Sequence, residues 1–143
     1  MGAKKKALII GCGIAGPAAA LFLKRIGCEP VLVEAMPKHD DYAGLFLNVA
    51  RNGMRILQEL GVQDRIRGEG IETVAMSFRS GRGKWLGNIG QPGDEPQGYT
   101  VKKGYLHRVL REEAQRQGIP VEFGKKLVDL WMDRGRVTAC FAD

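Results

Sequence analysis

Three glycines in Gly11-Cys12-Gly13-Ile14-Ala15-Gly16 constrain this chain more than any other feature. They follow the apolar run Ala7-Leu8-Ile9-Ile10 and open the Ala-rich segment Pro17-Ala18-Ala19-Ala20-Leu21-Phe22-Leu23. Beyond that segment lies Val31-Leu32-Val33, closed by Glu34. The order strand, glycine turn, helix, strand, acid is the layout of a dinucleotide-binding βαβ unit. Gly11 permits the tight turn, Gly13 lets a pyrophosphate approach the backbone, and Gly16 lets the helix pack closely on the strand. Helix N–H groups around Ile14 and Ala15, at the positive end of the dipole, then face the phosphates. Glu34 is placed to accept hydrogen bonds from a ribose 2′-hydroxyl. A purely structural glycine turn would need neither the acid nor this order of elements.

The chain has 143 residues, enough for one domain with a real core. Hydrophobic residues at 44% and charged residues at 27% describe an ordinary globular protein. The net charge of +6 comes from Lys4-Lys5-Lys6 and scattered residues such as Arg65, Arg67, Arg79 and Arg82. No basic stripe interleaved with aromatics appears, so nucleic acid is not an expected partner. Cys12, Cys28 and Cys140 form no CxxC and have no paired His, which argues against a disulfide framework and zinc and fits a reducing cytoplasm. Lys4-Lys5-Lys6 and the apolar run after it imitate a signal peptide, but three glycines and Pro17 interrupt the run and no cleavage site follows. Met1-Gly2 has the start of a myristoylation motif, but Lys6 stands where Ser or Thr is required. No segment is expected to span or anchor to a membrane.

Hydrophobic periodicity predicts strands at residues 5–10 and 31–34, with a helix over 14–27 between them. Pro17 is tolerated in that helix's first turn, and Gly27 stops it. A polar loop over 35–43 leads to Gly44-Leu45-Phe46-Leu47-Asn48 and a helix with Met54, Leu57 and Leu60 on its apolar face. Residues 62–67 read as a short amphipathic turn, and alternation over 73–78 predicts a strand returned antiparallel by 84–89. Residues 90–98 read as a loop, followed by a helix over 104–117. The remainder, with strands at 121–123, 127–132 and 137–141, reads as a β-meander.

From Lys5 onward, this order resembles the N-terminal part of a flavin-dependent monooxygenase of the para-hydroxybenzoate and salicylate hydroxylase type. The resemblance is carried by GxGxxGxxxAxxLxxxG (Gly11 to Gly27), Glu34, Gly44-Leu45-Phe46-Leu47-Asn48 and Asn52-Gly53-Met54-Arg55-Ile56-Leu57. Lys103-Gly104-Tyr105-Leu106-His107-Arg108-Val109-Leu110 is similar to that family's R-x-x-L-x-x-x-L helix, and the closing meander sits where the family has one. The resemblance implies an α/β, Rossmann-like FAD-binding domain with a meander and an extra hairpin that leans toward a substrate domain. It implies FAD held by Gly11, Gly13, Ile14, Ala15 and Gly16 at the pyrophosphate and by Glu34 at the adenosine ribose, with Lys103 toward the flavin side; Ala35 beside Glu34 and, read from the residues alone, Arg51 are further candidate contacts. Two departures matter. Lys103 stands where the family has an Arg, which keeps the charge but loses the bidentate fork. Ala35 replaces a common Arg. The family's following parallel strand, Gly-Asp motif and substrate domain have no counterpart here, so the expected reading is half an FAD site completed by a second polypeptide. Such a chain should show an unpaired sheet edge and apolar surface beside its first strand.

In this family the flavin carries the hard chemistry, hydroxylation through a flavin peroxide with NAD(P)H as reductant and oxygen as co-substrate. No catalytic triad, catalytic side chain or metal site is therefore expected. His39 in a loop and His107 on a helix read as surface histidines. Asp40-Asp41 read as solvated neighbours rather than an acid–base pair. Trp85 and Trp131, at strand positions, read as core or interface packing. Arg51 and Arg55 can reach phosphates or substrate, while a solvated helix face serves Arg55 equally well. Three readings follow: the FAD-binding portion of an aromatic or polyketide-type monooxygenase, an NAD-binding domain of a dehydrogenase, or a non-catalytic assembly subunit. The meander, in place of further βα units, argues against the second.

Overall fold

A computed structural model describes residues 4–38, 41, 44–91, 93 and 95–142. In chain order the elements are β1 (Lys6–Ile10), α1 (Ala15–Arg25), β2 (Glu29–Val33), β3 (Phe46–Ala50), α2 (Arg51–Glu59), α3 (Gln63–Glu69) and β4 (Ile71–Thr73). They continue with β5 (Met76–Arg79), β6 (Trp85–Ile89), β7 (Gly98–Lys102), α4 (Lys103–Arg116), β8 (Val121–Glu122), β9 (Leu127–Asp133) and β10 (Arg136–Phe141). The chain divides into two compact units, residues 1–41 with 107–143 and residues 42–106.

The first unit is built on the βαβ motif. β1 and β2 pair in parallel from Lys6–Glu29 to Ile10–Val33, and α1 crosses between them. β8 joins the other side of β2 through Leu32–Val121 and Val33–Glu122, giving a parallel sheet of order β1-β2-β8. Ala20, Leu21, Leu32 and Val33 are buried, and burying each large aliphatic side chain contributes roughly 1.5–3 kcal/mol. The second strand starts earlier than its sequence suggests and takes Pro30 inside it. Pro30 lies outside the register shared with β8, so its missing N–H costs no bond on that side. Among the described residues β1 pairs on one side only, and Leu8 and Ile10 on it are 47% and 46% exposed.

The closing strands divide differently from the meander read in the sequence. Val121–Glu122 extends the parallel sheet, and only β9 and β10 form an antiparallel hairpin. Register with a strand almost ninety residues earlier decided the first, and local alternation carries no trace of it.

The second unit is antiparallel. β7 lies at its centre, paired with β3 from Phe46–Lys102 to Ala50–Gly98 and with β4 from Ile71–Thr100 to Thr73–Gly98. Val49 and Val101 supply buried residues from the sheet, and Met54, Leu57, Leu60, Val62 and Ile66 from α2, α3 and the turn joining them. β5 and β6 form a separate hairpin. Two readings change here. The strand expected over residues 73–78 is two strands in two sheets, broken at Val74-Ala75. The central strand β7 falls where the sequence shows only the end of a loop and the approach to a helix.

Candidate functional site

The glycine turn joins β1 to α1 and is tied to β2. Gly11 takes φ +100°, and its N–H donates to the Val33 carbonyl at 2.7 Å. A side chain is sterically excluded at Gly16, where a Cβ would lie 2.0 Å from the Gly11 carbonyl oxygen and 3.3 Å from Leu32 Cδ2. Gly13 is the opposite case. No atom comes within 4 Å of its would-be Cβ, so the backbone there faces open space. Ile14 occupies the N-cap of α1, no side chain caps the helix, and its first turn holds no acid. The start of α1 therefore carries no capping side chain and no acid of its own, and the positive end of its dipole opens on the loop.

Glu34 follows β2 and reaches back into the turn. Cys12 N–H donates to its Oε2 at 2.8 Å and Met36 N–H to its Oε1 at 3.0 Å. Its own backbone is fixed as well, with its N–H donating to Glu122 O and its carbonyl accepting from Lys125 N–H, both at 2.8 Å. Each carboxylate oxygen has two lone pairs, so Glu34 retains capacity for a hydroxyl donor. Ala35 beside it is exposed. Bare backbone at Gly13, an uncapped helix start and an anchored carboxylate fit the diphosphate and ribose of a dinucleotide.

Arg111, which the sequence reading did not single out, and Cys12 of the turn itself complete the surroundings. Arg111 of α4 is buried, and its Nη2 donates to Asp41 Oδ1 at 2.8 Å. Its Nη1 is buried with no hydrogen-bond partner among the described residues. Cys12 is fully buried, and its thiol is pushed up to about 11 by burial, with Arg111 opposing and Glu34 adding to the shift. Cys12 is thus a small packing residue under the turn rather than a nucleophile. A charged residue inside the buried part of α4 was the available signal for Arg111.

Arg51 and Lys103 belong to the second unit. Arg51 donates from Nε to Pro96 O at 3.1 Å and from Nη2 to Glu95 O at 2.9 Å, and pairs with Glu95 Oε2 at 3.8 Å. Lys103 is exposed, and its stem runs past Gly44, Cβ lying 3.4 Å from where a Gly44 side chain would begin. The structure thus gathers Gly11, Gly13, Ile14, Ala15, Gly16, Glu34 and Ala35 in one unit and commits Arg51 to a loop of the other.

The remaining candidates sort as follows. His39 and Asp40 lie outside the described residues, as does the Met1-Gly2 start. Asp41 is ion-paired to Arg111 instead of solvated beside Asp40. His107 is half-buried with a buried Nε2, so it is no surface histidine. Trp85 and Trp131 are 56% and 61% exposed and supply no core packing. Among the described residues no three His, Cys, Asp or Glu side chains are grouped to hold a metal, and no helix is long and apolar enough to cross a membrane.

A parallel β1-β2-β8 sheet entered through this turn defines a dinucleotide-binding α/β domain. The FAD binding domain family matches residues 4–143, and the chain belongs to that family. FAD is accordingly the cofactor class. The chain is 28% identical over 148 residues to a flavin-dependent monooxygenase of Legionella longbeachae, covering 96% of this chain and 36% of that protein. It is 25% identical over 139 residues to a kynurenine 3-monooxygenase of Christiangramia forsetii, covering 94% and 31%. The chain therefore spans about a third of these relatives' length. The crystal structure of CtdE in complex with FAD superposes with TM-score 0.77 at 20% identity, covering 97% of this chain and 35% of that one, a likeness of fold.

Proposed function

We propose that this chain is the FAD-binding portion of an NAD(P)H- and O2-dependent monooxygenase acting on an aromatic or polyketide-type small molecule. The observation that carries this reading is the turn itself: open backbone at Gly13, an α1 start without a cap or acid, and Glu34 bonded into the same loop. Amides of Gly13, Ile14, Ala15 and Gly16 would hold the pyrophosphate, and Glu34, beside Ala35, would orient the adenosine ribose. The orphaned Nη1 of Arg111 adds positive charge for a dianionic cofactor. FAD, when bound, supplies the redox chemistry with oxygen, and the protein supplies binding, orientation and water exclusion. Names of the two monooxygenase relatives support oxygen insertion as the reaction class.

A second polypeptide, carrying a Gly-Asp motif and a substrate domain, would complete the site. Support comes from β1, an edge strand with Leu8 and Ile10 about half exposed. The test is to purify the chain, alone and with any protein encoded beside it, and record the flavin absorbance. Yellow flavin retained with the neighbour, lost in Gly13→Asp, is the expected result. NAD bound without flavin would make the chain a dehydrogenase domain. Tight FAD binding by a monodisperse monomer would overturn the second polypeptide.

A further inference from the structure

The second unit holds a cleft of about 480 Å³ between α2, α3 and the β7 strand. That volume lies within the roughly 300–1,000 Å³ typical of small-molecule sites. Arg51, Met54, Arg55 and Gln58 line it from one stripe of α2, at i, i+3, i+4 and i+7. Gln63 and Arg67 line it from α3 at i and i+4, and Tyr99 lines it from the sheet. Of its acids, Glu72 accepts from the Tyr99 hydroxyl at 3.2 Å and Glu95 pairs with Arg51 at 3.8 Å. Arg51 is spoken for by that pair and by two backbone carbonyls. Arg67 lies over the Tyr99 ring, 6.0 Å from its centroid, which orients the guanidinium without neutralising it. Among the described residues Arg55 and Arg67 form no ion pair, so two positive charges from different helices line one cleft with no acid of their own. Like charges placed this way repel, and an anion between them reverses the sign of the interaction.

We propose that this cleft binds a phosphate-bearing small molecule, its oxyanion held between Arg55 of α2 and Arg67 of α3. Two guanidinium forks offer more donors than one carboxylate can accept, whereas a phosphate group presents three acceptor oxygens and close to two charges at pH 7. Gln58 and Gln63 are neutral groups able to bond what the phosphate is attached to. The shared chemistry is the phosphate, supplied either by a nucleotide or by free inorganic phosphate.

The experiment titrates the full chain at constant ionic strength with inorganic phosphate, with 2′,5′-ADP and with benzoate. It follows arginine Nε–H NMR signals and measures affinity by calorimetry. The Nε–H signals of Arg55 and Arg67 should shift saturably with both phosphates. Affinity should fall about tenfold in Arg55→Gln and in Arg67→Gln. Arg82→Gln, in the exposed turn between β5 and β6, should bind as wild type. Tighter binding of 2′,5′-ADP assigns a nucleotide, and equal binding assigns free phosphate; either supports the site. No saturable shift, the same shift with chloride, stronger binding of benzoate, or equal affinity in all three variants would overturn it. Should either cleft variant fail to fold, the wild-type Nε–H shifts decide alone. Arg51 is left intact throughout, so the result does not depend on its assignment to FAD.

Discussion

The turn after β1 and the cleft beside α2 both present hydrogen-bond donors, by opposite means. The turn does it with backbone: Gly11, Gly13 and Gly16 clear side chains away so that amides and a helix dipole point outward. The cleft does it with side chains, Arg55 and Arg67 reaching from two helices. A backbone site is damaged by adding atoms, a side-chain site by removing them. The first is fixed once the strands pair; the second is held by long rotamers and weakened by salt.

That contrast is most exposed at Gly16. Gly16→Ala forces a Cβ to within 2.0 Å of a backbone oxygen, and unfolding free energy in urea should fall by about 2–4 kcal/mol. Gly13→Ala meets no atom within 4 Å, so its stability should stay within about 1 kcal/mol of wild type while FAD affinity drops. A stable Gly13→Ala that binds FAD normally would break the assignment of the turn. Glu34→Gln removes the charge, keeps an acceptor for the Cys12 amide and gives up only the exposed bond from Met36 N–H. FAD affinity, read by fluorescence quenching, should fall about tenfold with little loss of stability.

Cys12 sharpens the comparison through pH. Its thiol stands near 11 in the folded chain against an ordinary 9.0, so folding favours the neutral form. A raised value means that its contribution is intact below pH 9 and is lost as pH climbs toward 11. Wild type should therefore lose stability more steeply than Cys12→Ala across that window, as denaturant midpoints at several pH values will show. At pH 8, iodoacetamide should label the partly exposed Cys28 and Cys140 and spare Cys12. The smallest effect is ionic: raising salt from about 50 to 500 mM should weaken phosphate binding at the cleft more than FAD binding at the turn.

The glycine turn was legible in the sequence because glycine spacing is dictated by sterics between neighbours in the chain. The same holds for α2 and α4, whose apolar faces announce them. What stayed hidden depends on distant partners. β7 is only five residues, squeezed between a loop and a helix, and is made a central strand by β3 and β4 on either side. Alternation runs unbroken through Val74-Ala75, yet pairing with different strands divides it there. Asp41 and Arg111 are 70 positions apart, so no local pattern joins them. Arg55 was read as able to reach phosphates or substrate, but its cleft with Arg67 required α2, α3 and β7 to be placed together. Glu34 was read as a ligand for ribose, but its bond to the Cys12 amide required the turn and β2 to be placed together.

Gly11 N–H bonded to Val33 O makes the turn a gauge of strand alignment. A slip of β2 by one residue would send every side chain to the opposite face. Glu34 would then leave the loop, and the Gly11 and Cys12 amides would lose their acceptors in the same event. Only a correctly threaded sheet can therefore assemble the glycine loop with its Glu34 bonds. Hydrogen exchange at these two amides should follow the opening of the β1–β2 pair as a single unit.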